Sequence, residues 1–206
     1  EYDYLLAATG RVPNIRGIGL ENTSLALDAR GAPLFNDKTM QCGESHIFIA
    51  GDANNQIPLL HEASDEGKIA GKNAGQYPTV EPGLRRSPLS VVFCDPQIAM
   101  VGTMYRDLIE GKYAIGEVSF KGQGRSRVMH QNRGLLRVYG EMNSRRFLGA
   151  EMVGPRAEHL AHLLAWSHQN NLTVDQMLEM PFYHPVIEEG LRTALQNLSK
   201  QLNEAN

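Results

Sequence analysis

The sequence lacks most features that mark secreted, membrane or nucleic-acid-binding proteins. Only two cysteines occur in 206 residues, Cys42 and Cys94, which rules out a disulfide framework and a four-cysteine metal site. The net charge of −3 gives no electrostatic reason to expect nucleic acid or an anionic membrane as a partner. No apolar run approaches the roughly 20 residues that span a bilayer, and the opening residues do not resemble a secretory signal. We therefore predict a cytoplasmic protein with reduced thiols.

What is present is the composition of an ordinary globular protein, with 42% apolar and 21% charged residues. The length allows one large domain or two small ones. The chain begins with Glu1 rather than Met, and residues 2–9 already form an apolar, β-prone run that stops at Gly10. We therefore expect a fragment of a longer protein, with residues 2–9 as a strand inside a domain.

The pattern of the sequence changes at residues 77–88, which contain three prolines and predict a linker. Before it, a short apolar run at 46–50 predicts a buried strand, and 60–76 a helix. After it, five strands are predicted at 89–94, 98–102, 114–120, 134–142 and 147–153, then three helices at 157–170, 173–178 and 185–199. Strands followed by helices indicate an α+β domain. The predicted domains are 1–84 and 85–206.

Gly51 and Asp52 directly follow the strand predicted at 46–50. Ligands bind at the carboxyl ends of strands in layered α/β sheets. The Asp52 carboxylate there can accept hydrogen bonds from the hydroxyls of a ribose or ribityl chain, and Gly51 allows the backbone to approach closely. A Gly-Asp pair is also common at turns, so these two residues alone leave a structural turn open.

Four segments, in their order along the chain, carry a resemblance to one family. They are residues 8–14, 46–52, 91–102 and 184–189, with the sequences ATGRVPN, HIFIAGD, VVFCDPQIAMVG and HPVIEE. They resemble four segments of the pyridine nucleotide–disulfide oxidoreductases. In the same order, these are the stretch that leaves the NAD(P)H domain, the second flavin motif, the opening of the interface domain and the catalytic His–Glu segment. Within the family, the dihydrolipoamide dehydrogenases are the most similar in overall sequence pattern.

The resemblance implies an α+β fold, in which a C-terminal dimerisation domain of antiparallel sheet and helices is preceded by a remnant of an α/β FAD/NAD(P)-binding domain. The implied function is that of the C-terminal part of an FAD-dependent, NAD(P)H-coupled dithiol–disulfide oxidoreductase. Such an enzyme is a homodimer that acts on a small dithiol or disulfide, or on a lipoyl domain. No nucleic acid or membrane partner is implied.

The resemblance also assigns flavin contacts to particular residues. Asp52, after Gly51, would bind the ribityl chain of FAD. Leu60, His61 and Ala63 resemble the helix start beside the isoalloxazine ring, where free N–H groups and the positive end of the helix dipole favour electron density on a reduced flavin. For the His61 side chain, an ordinary polar role in the first helical turn remains equally open.

His184 would be the acid–base residue and Glu189 its orienting partner. A thiol attacks a disulfide only as the thiolate, so a base with a pKa near 7 is needed to take its proton. A carboxylate on the other ring nitrogen fixes the tautomer. Five helical steps turn the chain by about 500°, so two helical residues five positions apart do not share a face. His184 is therefore expected to precede the helix, where Pro185 favours extended geometry. Glu188 is the alternative partner; only the family pattern favours Glu189. In this family the segment completes the active site of the partner subunit.

The sequence lacks two motifs on which the family's reaction depends. The redox-active Cys-x4-Cys pair is missing, and Cys42 and Cys94 cannot replace it because their spacing is wrong. The first flavin motif, Gly-x-Gly-x-x-Gly, is also missing. We therefore expect this piece alone to be inactive, and a non-catalytic dimerisation module is the alternative function. The His-Pro segment is shared with mercuric and glutathione reductases, so a parent of either kind, and the choice between NAD and NADP, stay open.

Two further patterns are weaker. His159 and His162 stand three residues apart on one predicted helix, but no thiol or third ligand supports a metal, so no metal site is predicted. Residues 122–127, with the sequence GQGRSR, do not follow the strand–loop–helix order of a phosphate-binding loop, and we interpret them as a surface turn between strands.

Overall fold

The computed structural model describes residues 2–204, and the chain divides into two compact units, Glu1–Arg85 and Arg86–Asn206. We call them the N-terminal unit and the C-terminal unit. No helix within the described residues is long and apolar enough to cross a membrane.

The N-terminal unit is organised around one long helix, α1 (Leu60–Gln76). Two single turns of 3-10 helix precede it, Leu20–Asn22 and Gly51–Asn54. The apolar residues that pack together in this unit are Met40, Ile69 and Ala70, with Phe35, Phe48 and Ala50 around them. The remaining chain is held by isolated antiparallel bridges, Leu27 to Pro33, Phe35 to Cys42 and Gln41 to Phe48.

Both strands predicted in the N-terminal unit are wrong as strands. Residues 2–9 have no regular secondary structure and are highly exposed, and no described residue pairs with them, so no ladder of hydrogen bonds forms. In residues 46–50 only Phe48 forms a bridge, although the Ile49 N–H also donates to the Met40 carbonyl over 3.0 Å. The apolar run there reflects packing of Phe48 against the small core beside α1 rather than a sheet.

The C-terminal unit is an antiparallel five-stranded sheet covered by helices. Its strands are β1 (Leu89–Val92), β2 (Gln97–Gly102), β3 (Tyr113–Ser119), β4 (Leu135–Glu141) and β5 (Phe147–Gly154), in the order β1-β2-β5-β4-β3. Its helices are α2 (Gly124–Val128), α3 (Ala157–Gln169), α4 (Val174–Leu178) and α5 (Glu188–Glu204), with 3-10 turns at Tyr105–Asp107 and Phe120–Gly122. The predicted α+β class is confirmed, although α5 begins three residues later than predicted.

The core of the C-terminal unit lies between the sheet and its helices. In β4, Leu136 and Val138 are fully buried on one face while Arg137 on the other face is exposed, although Tyr139 on the Arg137 face is also buried. Helix α5 buries one apolar stripe at helical spacing, formed by Leu191, Leu195, Leu198 and Leu202. Helix α3 packs on β1, β2 and β5, and α5 on β3 and β4.

Helix α5 approaches β3 closely at Gly116. A Cβ atom at this position would lie 2.1 Å from the Ala194 carbonyl oxygen and 2.7 Å from the Leu198 backbone nitrogen. These are backbone atoms of α5, so no side-chain rotation can relieve the overlap. The absence of a side chain at Gly116 therefore sets the distance between α5 and the sheet.

We expect Gly116→Ala to lower the free energy of unfolding of the C-terminal unit by about 1–3 kcal/mol, because α5 must move away from β3. Urea unfolding followed by circular dichroism measures the change. Gly122→Ala is the matched control, since a Cβ at Gly122 meets nothing within 4 Å. A Gly116→Ala midpoint equal to that of the control would contradict the close-packing argument.

Candidate active site

His184 and Glu189 form a direct pair at the start of α5. His184 Nδ1 lies 3.0 Å from each carboxylate oxygen of Glu189. An ionised carboxylate only accepts hydrogen bonds, so Nδ1 carries the proton. In the neutral ring this leaves the lone pair on Nε2, which has no hydrogen-bond partner among residues 2–204. The His184 side chain is 80% exposed, whereas that of Glu189 is 19% exposed. The structure thus holds an accessible base on a largely covered carboxylate.

The Glu189 carboxylate has further partners. The Val186 N–H donates to Oε2 over 3.2 Å, and Arg192 Nη2 lies 3.5 Å from Oε1. The hydrogen bond from His184, the bond from Val186 and the nearby positive charges lower the pKa of Glu189, so it remains ionised at neutral pH. Glu188, the alternative partner, instead lines an apolar cavity beside the helix.

The short helix α2 supports the segment that carries His184. Gln123 Nε2 donates to the Val186 carbonyl over 2.7 Å, although the two residues are far apart in sequence. Ile187, the next residue, is buried in the main core. Residues 122–127 are therefore not the surface turn that was predicted. They belong to a 3-10 turn followed by α2, which is capped by the Gln123 side chain.

An apolar cavity of about 700 Å³ lies next to the pair, within the C-terminal unit. Its walls include large side chains that are substantially exposed, namely Trp166 at 65% and Tyr183 at 78%. Arg192 lies over the Phe182 ring, with its guanidinium carbon 5.8 Å from the ring centroid. An exposed apolar surface of this kind is typical of an interaction site.

In the N-terminal unit, the 3-10 turn Gly51–Asn54 presents Asp52 at the surface. Arg11 Nη1 lies 2.9 Å from Asp52 Oδ2, and Arg11 Nη2 donates to the Pro58 carbonyl. The Asp52 side chain is 50% exposed and keeps capacity to accept further hydrogen bonds. Arg11 belongs to the segment 8–14, and the sequence alone gives its side chain no role.

The structure brings the start of α1 against this turn. Gly51 has a φ of +69°, and a Cβ there would lie 3.0 Å from Ala63 Cβ, so glycine allows both the turn and the contact. Leu60 is 88% exposed and His61 is also exposed. The capping position is Leu59, whose side chain cannot accept a hydrogen bond from the first-turn N–H groups. Gly51, Asp52 and the start of α1 therefore form one surface, whose first-turn N–H groups have no side-chain cap among residues 2–204.

Glu66 lies beneath this surface, fully buried. Its Oε2 accepts hydrogen bonds from the Gly51 N–H and from Asn54 Nδ2, both over 2.7 Å. Arg85 Nη2 lies 3.1 Å from its Oε1 and 3.0 Å from Glu62 Oε2. Sequence reasoning missed Glu66, because an acidic residue in a helix indicates a solvated face unless its distant partners are known.

The histidines of α3 do not form a metal site in the described chain. Across residues 2–204, no three His, Cys, Asp or Glu side chains are arranged to hold a metal ion. His162 Nδ1 instead lies 2.6 Å from the Glu158 carbonyl oxygen of its own helix.

The sequence matches two protein-family models. Residues 89–195, more than half of the chain, match the pyridine nucleotide-disulphide oxidoreductase dimerisation domain, and residues 1–67 match the pyridine nucleotide-disulphide oxidoreductase model. The chain belongs to the pyridine nucleotide–disulfide oxidoreductase family. The predicted membership is thereby confirmed.

Relatives within the oxidoreductase family have more than one activity. A mercuric reductase of Acidithiobacillus ferrooxidans is 31% identical over 98% of this chain and 37% of its own length. A dihydrolipoyl dehydrogenase of Bacillus subtilis is 31% identical over 94% of this chain and 42% of its own length. The chain therefore spans about two fifths of the length of these curated relatives.

Solved structures of similar fold include LpdA of Mycobacterium tuberculosis, with a TM-score of 0.76 and 24% identity over 91% of this chain and 41% of that protein. A Cu(II) complex of the HOCl-induced flavoprotein disulfide reductase RclA of Escherichia coli also gives 0.76, with 22% identity over 92% of this chain and 43% of that protein. These likenesses confirm the predicted fold of the oxidoreductase family.

Proposed function

We propose that this chain is the C-terminal part of an FAD-dependent, NAD(P)H-coupled dithiol–disulfide oxidoreductase, in which His184 and Glu189 act as an acid–base pair. The observation that carries the proposal is the 3.0 Å pairing of His184 Nδ1 with the Glu189 carboxylate at an exposed position. Family membership and the oxidoreductase relatives support the reaction class. The domain assignment that goes with it is 1–84 for the cofactor-binding remnant and 85–206 for dimerisation.

The proposed chemistry follows from the protonation of the ring. His184 Nε2 accepts the proton of a substrate thiol, producing the thiolate that attacks a disulfide. Glu189 stabilises the imidazolium that results, because its carboxylate accepts the hydrogen bond from Nδ1–H in both states. Nε2 then returns the proton to the thiolate that leaves.

FAD is the proposed cofactor, and the surface formed by Gly51, Asp52, Leu60, His61 and Ala63 is its proposed contact in this chain. The half-exposed Asp52 carboxylate fits the hydroxyls of a ribityl chain, and the uncapped start of α1 fits an electron-rich ring. When bound, FAD supplies two-electron transfer between the dithiol and a nicotinamide, NAD(P) in the parent protein.

The proposed assembly is a homodimer in which His184 serves the active site of the partner subunit. The match to a dimerisation domain supports the dimer. The exposed His184 ring and the apolar cavity beside it, with Trp166 and Tyr183, support an association at this face. A dimer that lacks redox activity, formed by these 206 residues by themselves, is the second candidate function, and the match of residues 89–195 to a dimerisation domain favours it.

The proposed substrate of the parent is a small dithiol or its disulfide, or a lipoyl domain. The dihydrolipoyl dehydrogenase relatives favour a dithiol substrate, and the mercuric reductase relatives favour Hg²⁺ as the alternative substrate. The two are separated by assaying the purified full-length protein with NAD⁺ and dihydrolipoamide, and with NADPH and Hg²⁺.

We expect the full-length protein to be yellow, with the visible absorption of an oxidised flavin, and to reduce NAD⁺ with dihydrolipoamide. Absorption spectroscopy and the appearance of NADH measure these outcomes. A colourless full-length protein without turnover on either substrate would contradict the proposed reaction. The dimerisation module would then remain as the candidate function. Light scattering of the 206-residue chain then tests that second function, which requires a dimer.

A further inference from the structure

We propose that Gln123 is a positioning residue for the His184–Glu189 pair, and that the bond from its side-chain amide to Val186 holds the His184 segment against α2. The inference rests on the acid–base role proposed above. Gln123 does not touch the ring or the carboxylate, so it would act only through the backbone between them.

The orientation of the Gln123 amide is fixed by Ser126. Gln123 Oε1 accepts from the Ser126 N–H over 2.7 Å and from Ser126 Oγ over 2.8 Å. Ser126 is fully buried, and its N–H can only donate. The oxygen of the amide is therefore held at Ser126, and the NH2 group is directed at the Val186 carbonyl, 2.7 Å away.

Val186 connects this amide to the pair. Its carbonyl accepts the bond from Gln123, and its N–H donates to Glu189 Oε2 over 3.2 Å. Gln123 also packs near the first turn of α5, since its Cγ lies 3.6 Å from the position of a Cβ built on Gly190. A continuous set of hydrogen bonds thus runs from buried Ser126 through Gln123 and Val186 to the carboxylate that orients His184.

The exposed ring needs such support. His184 is 80% exposed, and its described hydrogen bonds are the two to Glu189, so its orientation depends on the segment that carries it. Acid–base groups must be held within about 0.5 Å of their productive position. The bond from Gln123 restrains that segment between the two members of the pair.

Two variants separate the donor to Val186 from the rest of the side chain. Gln123→Glu retains the acceptor for Ser126 but, when ionised, has no N–H for Val186. Gln123→Met keeps the length of the side chain and removes both functions. Gln201→Met is the matched control, because Gln201 is exposed on α5 and lies about 18 Å along the helix axis from Glu189 at 1.5 Å per residue.

In the 206-residue chain, nitrogen-15 NMR of the His184 ring should show one predominant Nδ1–H tautomer for wild type and Gln201→Met. Both Gln123 variants should show a mixture of tautomers. In the full-length protein the same variants should lower kcat by about 10- to 100-fold, with KM within about twofold, since no substrate contact is removed. A thermal midpoint for Gln123→Glu near that of wild type would show that the loss is one of positioning.

A wild-type tautomer in Gln123→Glu at neutral pH would overturn the inference, whatever the turnover. Unchanged kcat in both Gln123 variants would overturn it as well. His184→Gln, assayed in parallel, distinguishes this failure from failure of the proposed function. If His184→Gln retains full turnover, the acid–base role is wrong, while the NMR comparison still decides whether Gln123 positions the ring.

Discussion

Replacing His184 with glutamine should lower dithiol turnover of the full-length protein by about 10²- to 10⁴-fold, the usual contribution of a positioned acid–base group. Glutamine retains polarity and hydrogen bonding but cannot take a proton from a thiol. The flavin content should be unchanged, because the proposed flavin contacts lie in the N-terminal unit. Steady-state turnover, normalised to flavin absorbance, measures the effect.

The remaining activity of His184→Gln should rise with pH. Without a base, the substrate thiol must ionise unaided, and a simple thiol has a pKa of about 8.5. The control is His159→Gln, an exposed histidine on α3 that lies next to Glu158 and outside the proposed site. Equal turnover in the two variants would remove His184 from the mechanism, even with the flavin bound.

The C-terminal unit was predictable from the sequence because its signals are local. The apolar–charged–apolar alternation of Leu136, Arg137 and Val138 favours a strand, and the structure has β4 there. The position of His184 before a helix followed from its spacing to Glu189 and from Pro185. The choice of Glu189 over Glu188 did not follow from spacing, since both lie in the first turn of α5; it came from the family pattern.

The N-terminal unit was predicted less well, for a physical reason. A β-prone run such as residues 2–9 becomes a strand only if another segment supplies hydrogen bonds, and no described residue does so. The prediction of α1 was correct because helical hydrogen bonds form within the segment itself. Strand predictions thus depend on distant partners that helix predictions do not need.

Polar residues that support the candidate site could not be found from the sequence either. Gln123 lies in a segment that the sequence predicts as a surface turn, and the sequence pattern of the helix at 60–76 gives Glu66 no role. Their partners, Val186 for Gln123 and Gly51 for Glu66, lie far away in sequence. Such contacts have no periodicity, so only the folded chain shows them.

Removing the Glu66 carboxylate should have the largest effect on the N-terminal unit. In Glu66→Ala the Gly51 N–H and Asn54 Nδ2 lose a buried acceptor, and Arg85 keeps Glu62 as its ionic partner among the described residues. Leaving a buried hydrogen-bond donor without its acceptor costs about 1–3 kcal/mol, and Glu66→Ala leaves two such donors. We expect a loss of this size for the N-terminal unit, measured by amide hydrogen exchange in α1.

The same variant should also lose flavin in the full-length protein, because Glu66 holds the turn that presents Asp52. Glu44→Ala is the matched control, since Glu44 is exposed in the same unit. Glu66→Gln separates the causes, as its amide oxygen still accepts from Gly51 and Asn54 while the charge opposite Arg85 is gone. If Glu66→Gln exchanges like wild type and Glu66→Ala does not, the two hydrogen bonds hold the turn. If Glu66→Gln is as unstable as Glu66→Ala, the ion pair with Arg85 makes the larger contribution to stability. If both variants match the control, Glu66 does not support this surface.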